Sequence, residues 1–186
     1  AEGDVLSGIA NVVGSVNGDK LTGDNLANVL NAGNGADTLS GGGGADTLLS
    51  GAGDDVLAGG AGPDSIDGGA GENTLNYSAA TFGVTVNMAM GTGQGGDAEG
   101  DRFVNIQDLV GSAGRDLLIG DANANQISGI AGDDTIEGGG GADTLDGGSG
   151  DNTLSFAGSA EAVTVNLAKG IATGGDAAGD VFTNFE

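Results

Sequence analysis

Residues 41–49 read Gly-Gly-Gly-Gly-Ala-Asp-Thr-Leu-Leu, and a unit of this form recurs at a fixed nine-residue interval along the chain. The eighth position of the unit is aliphatic in two unbroken series, and the sixth position is aspartate or asparagine in nearly every copy. The aliphatic residues are Val12, Leu21, Leu30, Leu39, Leu48, Leu57, Ile66, Leu75 and Val84, and then Leu109, Leu118, Ile127, Ile136, Leu145, Leu154 and Val163. A nine-residue period fits neither an α-helix nor a plain strand. It is typical of stacked repeats, in which each unit buries one apolar side chain against its neighbours.

Each unit predicts one short strand and one tight turn. The aliphatic residue and its two neighbours form a strand whose middle side chain points inward. The glycine-rich remainder has to turn sharply, and glycine permits the positive φ angles that such turns use. Two units then close a coil of 18 residues, and successive coils stack at about 4.8 Å, the spacing between strands. We therefore predict an all-β fold, a right-handed parallel β-roll (a β-helix solenoid) with 18 residues per coil.

The composition narrows the possible partners. The 186 residues include 42 Gly and no Cys, His or Trp, and the net charge is −23. Such a surface repels nucleic acid and anionic membranes and attracts cations, so we expect no nucleic-acid partner. No apolar stretch approaches the length of a membrane span, and we expect no membrane insertion. A glycine-rich acidic chain is also typical of disorder, which is the alternative for the protein without bound ions.

A longer repeat lies over the nine-residue one. Residues 3–39 align with 100–136 at a shift of 97, and residues 73–106 align with 152–185 at a shift of 79. The shifts differ by 18, which indicates that the first module has one more coil than the second. We interpret the chain as part of a longer protein, divided as follows: 1–11, the end of a preceding module; 12–84, the first β-roll module; 85–108, a connector or wider coil; 109–163, the second β-roll module; 164–186, a connector and the start of a further module.

Stacking places the sixth-position residues directly above one another. The predicted rows are Asp19, Asp37, Asp55 and Asn73 on one edge and Asn28, Asp46 and Asp64 on the other, followed in the second module by Asp116, Asp134 and Asn152, and by Asn125 and Asp143. Carboxylates about 5 Å apart repel each other by roughly 3 kcal/mol per pair at an effective dielectric constant near 20. A cation would offset this repulsion. Carboxylates and turn carbonyls form an all-oxygen shell, which favours calcium over zinc or magnesium.

The unit Gly-Gly-x-Gly-x-Asp-x-aliphatic-x resembles the RTX, or haemolysin-type, calcium-binding nonapeptide repeat over essentially the whole chain. The resemblance implies several calcium ions, each bridging the turns of adjacent coils. Their ligands would be the sixth-position aspartates and the backbone carbonyls around the turn glycines. Those glycines are Gly33, Gly35, Gly42, Gly44, Gly51, Gly53, Gly60 and Gly62. The resemblance also implies an extracellular or cell-surface protein that leaves the cell by type I secretion and folds outside it.

Some positions depart from this pattern. Asn28, Asn73, Asn125 and Asn152 keep an oxygen ligand but lose the charge, so we expect weak or empty sites there. Asp24 and Asp121 replace the second glycine of their units and would return a carboxylate to them. The connectors carry the paired aspartates Asp97 and Asp101, and Asp176 and Asp180. These pairs form either a different cation site or an ordinary loop.

The sequence contains no catalytic constellation, and we expect a protein that is not an enzyme. The leading interpretation is a structural calcium-binding segment of a large secreted or surface protein, such as an adhesin, a surface-layer or matrix protein, or a fibre. Its partners would be calcium and further copies or modules of itself, placed end to end or side by side. The alternative is an accessory module of a secreted protease, lipase or polysaccharide epimerase. Outward threonines also suggest ice binding, but Leu117 and Gln126 interrupt that array.

Overall fold

Short strands recur throughout residues 9–186, the part of the chain that the computed structural model describes. They are β1 (Asn11–Val13), β2 (Lys20–Thr22), β3 (Val29–Asn34), β4 (Thr38–Gly43), β5 (Thr47–Ala52), β6 (Val56–Ala61), β7 (Ser65–Asp67), β8 (Thr74–Asn76), β9 (Thr85–Asn87), β10 (Thr92–Gln94), β11 (Arg102–Val104), β12 (Asp108–Val110), β13 (Leu117–Ile119), β14 (Gln126–Ser128), β15 (Thr135–Glu137), β16 (Thr144–Asp146), β17 (Thr153–Leu154), β18 (Thr164–Asn166), β19 (Ile171–Thr173) and β20 (Val181–Thr183). Three single-turn 3₁₀ helices lie at Gly96–Ala98, Leu167–Lys169 and Gly175–Ala177. Most of the segment assigned to a preceding module, residues 1–8, lies outside the described residues.

The strands form two ten-stranded sheets, one on each side of the stack. Sheet A has the order β1-β3-β5-β7-β11-β10-β9-β13-β15-β17, and sheet B has the order β18-β19-β20-β16-β14-β12-β8-β6-β4-β2. Within the modules the pairing is parallel and joins residues 18 apart, as in Leu30 with Leu48 and Leu39 with Leu57. The predicted all-β parallel solenoid with an 18-residue coil is therefore confirmed.

The core is a single column of aliphatic side chains between the two sheets. Leu48 and Leu57 in the first module and Leu118 and Ile136 in the second are fully buried. The predicted three-residue strand holds for most units, but β3 to β6 extend to six residues. They are longer because the turn glycines also pair between coils, as Gly33 does with Gly51.

The connectors continue the two sheets with antiparallel strands. In the first connector β10 lies antiparallel to both β9 and β11, and these three strands sit in sheet A between β7 and β13. On the opposite side β8 pairs directly with β12. In the second connector β18, β19 and β20 make the same arrangement in sheet B. Across residues 9–186 no helix has the length and apolarity needed to cross a membrane.

Candidate metal sites

The sixth-position residues form two hydrogen-bonded ladders along the edges of the stack. In each ladder the backbone N–H of one residue donates to the side-chain oxygen of the residue one coil further on. Asp37 donates in this way to Asp55 Oδ1 at 2.7 Å, and Asp46 donates to Asp64 Oδ1 at 2.8 Å. We call these rows the sheet B ladder (Asp19, Asp37, Asp55, Asn73, Gln107, then Asn125, Asp143, Asp180) and the sheet A ladder (Asn28, Asp46, Asp64, Asp101, then Asp116, Asp134, Asn152). Each ladder is interrupted once, where the second module begins, and in the sheet B ladder Asn125 Nδ2 donates there to the Gln107 carbonyl instead.

The second oxygen of most ladder aspartates has no partner. Seven buried Oδ2 atoms accept no hydrogen bond within the described residues, and they belong to Asp37, Asp46, Asp55, Asp64, Asp134, Asp143 and Asp180. Each of these residues is at most 4% exposed. A buried carboxylate oxygen without a partner is strongly unfavourable, and a bound cation is one way to satisfy it. Each of these aspartates would therefore be stabilised by a positive charge close to its second oxygen.

The turn glycines let carbonyl oxygens approach these carboxylates, since a Cβ at Gly41 would collide with both Oδ2 of Asp46 and the carbonyl oxygen of Gly59. Gly51 has a φ of 102°, and a Cβ at this position would collide with the carbonyl oxygen of Gly33 one coil earlier. A Cβ at Gly59 would collide with Oδ2 of Asp64, which belongs to the same unit. Larger residues would separate the coils and displace the carboxylate. A positive φ is shared by all the glycines singled out from the sequence: Gly33, Gly35, Gly42, Gly44, Gly51, Gly53, Gly60 and Gly62.

The available ligands suit calcium. Within residues 9–186 no three acidic side chains converge on one point, because the ladder supplies one carboxylate per rung. A site on the ladder must therefore take its remaining ligands from the backbone carbonyls of the turns. Calcium accepts such mixed oxygen shells of variable geometry, whereas zinc prefers nitrogen and sulfur, and magnesium keeps a strict octahedron.

Burial changes the acidity of the ladder when no ion is bound. Burial raises the pKa of Asp64 to about 7. The negative charges of Asp101 and Asp46 raise this pKa further, whereas the hydrogen bond from the Asp46 N–H lowers it. Burial likewise raises the pKa of Asp134 and of Asp143 to about 6. The ion-free ladder therefore holds protons at pH values where exposed aspartates have lost them.

The first rung of each module is satisfied by a serine. The Ser15 N–H donates to Asp19 Oδ2, and the Ser112 N–H donates to Asp116 Oδ2 at 2.6 Å. The Ser112 hydroxyl also donates to Asp116 Oδ1 at 2.6 Å. Asp19 and Asp116 stay predicted ligands, but a calcium ion there would compete with these serine contacts.

The asparagines next to the connectors use their amide as a donor. Nδ2 of Asn73 donates to the carbonyl of Asn105, and Nδ2 of Asn152 donates to the carbonyl of Asn184, both at 3.1 Å. Nδ2 of Asn125 donates to the Gln107 carbonyl at 2.8 Å. An amide hydrogen thus lies where a carboxylate would offer its second oxygen, and the expectation of weak or empty sites at these asparagines stays a prediction.

Asn28 and Asn125 also accept hydrogen bonds within their own units. The Asp24 N–H donates to Asn28 Oδ1 at 2.7 Å, and the Asp121 N–H donates to Asn125 Oδ1 at 3.0 Å. The carboxylates of Asp24 and Asp121 accept from the second following residues, Leu26 and Asn123, at 2.8 Å. They shape their own turns, and their part in ion binding stays a prediction.

The connector aspartates fall into two groups. Asp101 and Asp180 lie on the ladders, since they accept at Oδ1 from the N–H groups of Asp64 (2.8 Å) and Asp143 (3.0 Å). Asp97 and Asp176 lie beside them in the 3₁₀ turns and are partly buried. From the sequence, these pairs could form either a separate cation site or an ordinary loop. In the structure Asp101 and Asp180 are further rungs of the ladders.

Several polar residues at the connectors were missed from the sequence. Asn105 and Asn184, both with positive φ, donate from Nδ2 to Asp67 Oδ1 (2.7 Å) and Asp146 Oδ1 (2.6 Å). Gln107 accepts from the Asn73 N–H at 2.8 Å. The sequence contains patterns that could have identified these residues. The pair Asp67 and Asn105 recurs as Asp146 and Asn184 at the shift of 79, and Gln107 takes the sixth position of the unit that ends with Leu109 and Val110.

A comparison with protein families agrees with this geometry. The model of the RTX calcium-binding nonapeptide repeat matches the chain in four copies, at residues 22–57, 49–79, 107–136 and 125–154. These segments cover more than half of the chain and leave residues 80–106, most of the first connector, outside the match. No curated protein matches the chain.

Proposed function

Because the chain belongs to the family of RTX calcium-binding nonapeptide repeats, we propose that it is a structural segment of a larger secreted or cell-surface protein and that it folds on binding calcium. The observation that carries this proposal is the set of seven buried carboxylate oxygens without partners. They lie on the repeat units themselves or on the rung where the ladder enters a connector. Ions at these positions would remove the repulsion that opposes stacking, so ion binding and folding are one equilibrium.

The energetics supports dependence on the ion. Each inner regular coil buries two large aliphatic side chains, while it must order 18 residues that are rich in glycine. Hydrophobic burial on this scale does not offset the conformational entropy of the chain. Calcium modules outside cells bind at roughly 10⁻⁴–10⁻³ M, so such a chain stays unfolded in the cytosol and folds after export. Type I secretion, which the family resemblance implies, passes unfolded chains and suits this order of events.

The surface supports a structural role. The acidic side chains of the ladders accept hydrogen bonds from the backbone of adjacent coils, and Ser112, whose hydroxyl contacts the Asp116 carboxylate, is fully buried. Edge strands at both ends of each sheet, such as β1 and β17 of sheet A, can pair with the next module of a longer protein. These features fit an adhesin, a surface-layer or matrix protein, or a fibre. A catalytic domain directly adjoining this segment in the full-length protein would contradict that role.

Small-angle X-ray scattering tests the proposal on the chain itself. We expect the profile of an expanded flexible chain in chelator and of a rigid rod in millimolar calcium, with little change in equal magnesium. A profile that is the same in chelator and in calcium would contradict the proposed role of the ion.

A further inference from the structure

The two connectors differ in the aromatic residue that follows their last coil. Tyr77 follows β8 and Phe156 follows β17, and the two are equivalent at the shift of 79. The backbone turns alike at both places, since the Ala80 N–H donates to the Tyr77 carbonyl (2.9 Å) and the Ser159 N–H donates to the Phe156 carbonyl (3.1 Å). The same backbone therefore carries a hydroxyl in one connector and none in the other.

In the first connector the hydroxyl completes the ladder. The Tyr77 O–H donates to Asp101 Oδ2 at 2.8 Å, while Asp101 Oδ1 accepts from the Asp64 N–H. Both residues are buried, with Tyr77 2% and Asp101 0% exposed. Burial, together with the charge of Asp101, raises the pKa of Tyr77, so the hydroxyl keeps its proton. Both oxygens of Asp101 thus have partners.

In the second connector the equivalent oxygen has no partner. Asp180 is 4% exposed, and its Oδ1 accepts from the Asp143 N–H at 3.0 Å. Its Oδ2 accepts no hydrogen bond within the described residues, because Phe156 offers no donor. Asp143, on the preceding rung, is 1% exposed and also has an unpartnered Oδ2. Two consecutive rungs therefore carry buried carboxylate oxygens without partners, whereas at the first connector only Asp64 does.

We propose that the second connector binds one additional divalent cation between Asp143 and Asp180, and that the Tyr77 hydroxyl replaces the corresponding ion at the first connector. The inference rests on the proposed function for the choice of calcium. The residue at this one position then decides whether a junction between modules depends on the ion. The first connector is joined to its module by the hydrogen bond from Tyr77 to Asp101, and the second is joined by the ion between Asp143 and Asp180.

Exchanging the two aromatic residues tests the inference. Calcium bound to the intact chain is counted by native mass spectrometry for the wild type, Tyr77→Phe, Phe156→Tyr and the double exchange. We expect Phe156→Tyr to bind one ion fewer, Tyr77→Phe one ion more, and the double exchange the wild-type number. If Phe156→Tyr does not fold, Tyr77→Phe alone decides, since it removes only one oxygen atom.

Hydrogen exchange provides a second, local readout. As free calcium is lowered, residues 164–183 of the wild type should lose protection before residues 85–104, and Phe156→Tyr should remove this difference. Equal ion counts in all four proteins, or equal calcium dependence of the two connectors, would overturn the inference and leave the proposed function standing. A wild type that binds no calcium would instead overturn the proposed function.

Discussion

The nonapeptide coils and the connectors share one type of ladder but complete it with different groups. In the coils one oxygen of Asp37 and of Asp46 accepts from the backbone N–H of the preceding rung, and the other oxygen has no partner. Beside the connectors, amide hydrogens of Asn73 and Asn152 and the hydroxyl of Tyr77 occupy the equivalent places. We therefore expect the need for metal to differ from rung to rung.

The two connectors also differ in the side of the stack they enlarge. The first adds its three strands to sheet A and the second to sheet B. A regular coil places one strand in each sheet, so each connector adds two more strands to one side of the stack than a regular coil does. Because the units between connectors come in an even number, from β12 to β17, successive inserts fall on opposite sides. Loss of units in pairs preserves this alternation.

A methyl group between coils tests whether close stacking is needed for the ladder. Gly42 has a φ of 104°, and a Cβ there would collide with the Asp24 carbonyl. We expect Gly42→Ala to lower the free energy of unfolding by about 4 kcal/mol even in saturating calcium, from backbone strain and overpacking. Urea unfolding followed by circular dichroism measures it.

The neighbouring residue supplies the control for this substitution. A Cβ at Gly43 would meet no atom closer than 3.6 Å. Gly43→Ala should change stability by less than about 1 kcal/mol, in the stabilising direction, because alanine restricts the unfolded chain. Equal losses in Gly42→Ala and Gly43→Ala would show that close approach of the coils is not required.

Removing one ladder charge tests the role of metal in the coils. Asp46→Asn keeps the acceptor for the Asn28 N–H but loses the charge that a cation needs. We expect one bound ion fewer and a loss of about 3 kcal/mol in saturating calcium. In chelator both the variant and the wild type should be disordered, so the difference in stability exists only in the calcium-loaded fold. Isothermal titration calorimetry and urea unfolding measure both quantities.

The exposed Asp151 provides the matched control, and in saturating calcium Asp151→Asn should stay within about 0.5 kcal/mol of the wild type and bind the same number of ions. A loss of stability for Asp46→Asn without any change in the number of bound ions would point to a packing effect and contradict a metal site.

The opposite substitution, from asparagine to aspartate, tests the amide hydrogen bond at the first connector. Asn73→Asp loses the donor to the Asn105 carbonyl and points a carboxylate oxygen at it. We expect a loss of about 2 kcal/mol at the first connector. Tyr77 is the only tyrosine and the chain has no tryptophan, so its fluorescence reports this region alone.

Asn76→Asp is the control, because its side-chain oxygen accepts from the Ser78 N–H and the carboxylate keeps that bond. If Asn73→Asp instead gains stability together with one more calcium ion, the connector boundary is an incomplete metal site and not an amide junction.

A change of pH should produce the smallest effect on stability, and the sign of this effect should differ between the calcium-free and the calcium-loaded protein. In the ion-free fold the pKa of Asp64 is about 7, above its unfolded value of 3.8, so the folded form binds more protons between these values. Its contribution to stability is present at low pH and is lost as the pH rises through about 7.

In chelator the chain should gain β structure on going from pH ~8 to pH ~5. In calcium, protons compete with the ion and the same change should destabilise it. Circular dichroism across this range measures both.

Spacing alone predicted the regular part of the molecule. The nine-residue period fixes that Asp46 lies above Asn28 and below Asp64, since parallel coils of one length leave no other register. It could not place Asp101, which stacks on Asp64 across 37 residues through an antiparallel insert. The fold of that insert depends on contacts between distant segments, such as β11 with β7. The contrast between Tyr77 and Phe156 is visible in the aligned modules, but its meaning depends on where Asp101 and Asp180 lie.

The central claim is that calcium holds the stacked coils together, and a far-UV circular dichroism titration of the metal-free chain tests it. Starting from a chelated sample, we predict a disordered spectrum that changes cooperatively to a β spectrum as calcium is added, and no such change with magnesium at the same concentration. A full β spectrum before any calcium is added, or an equal response to magnesium, would contradict the claim.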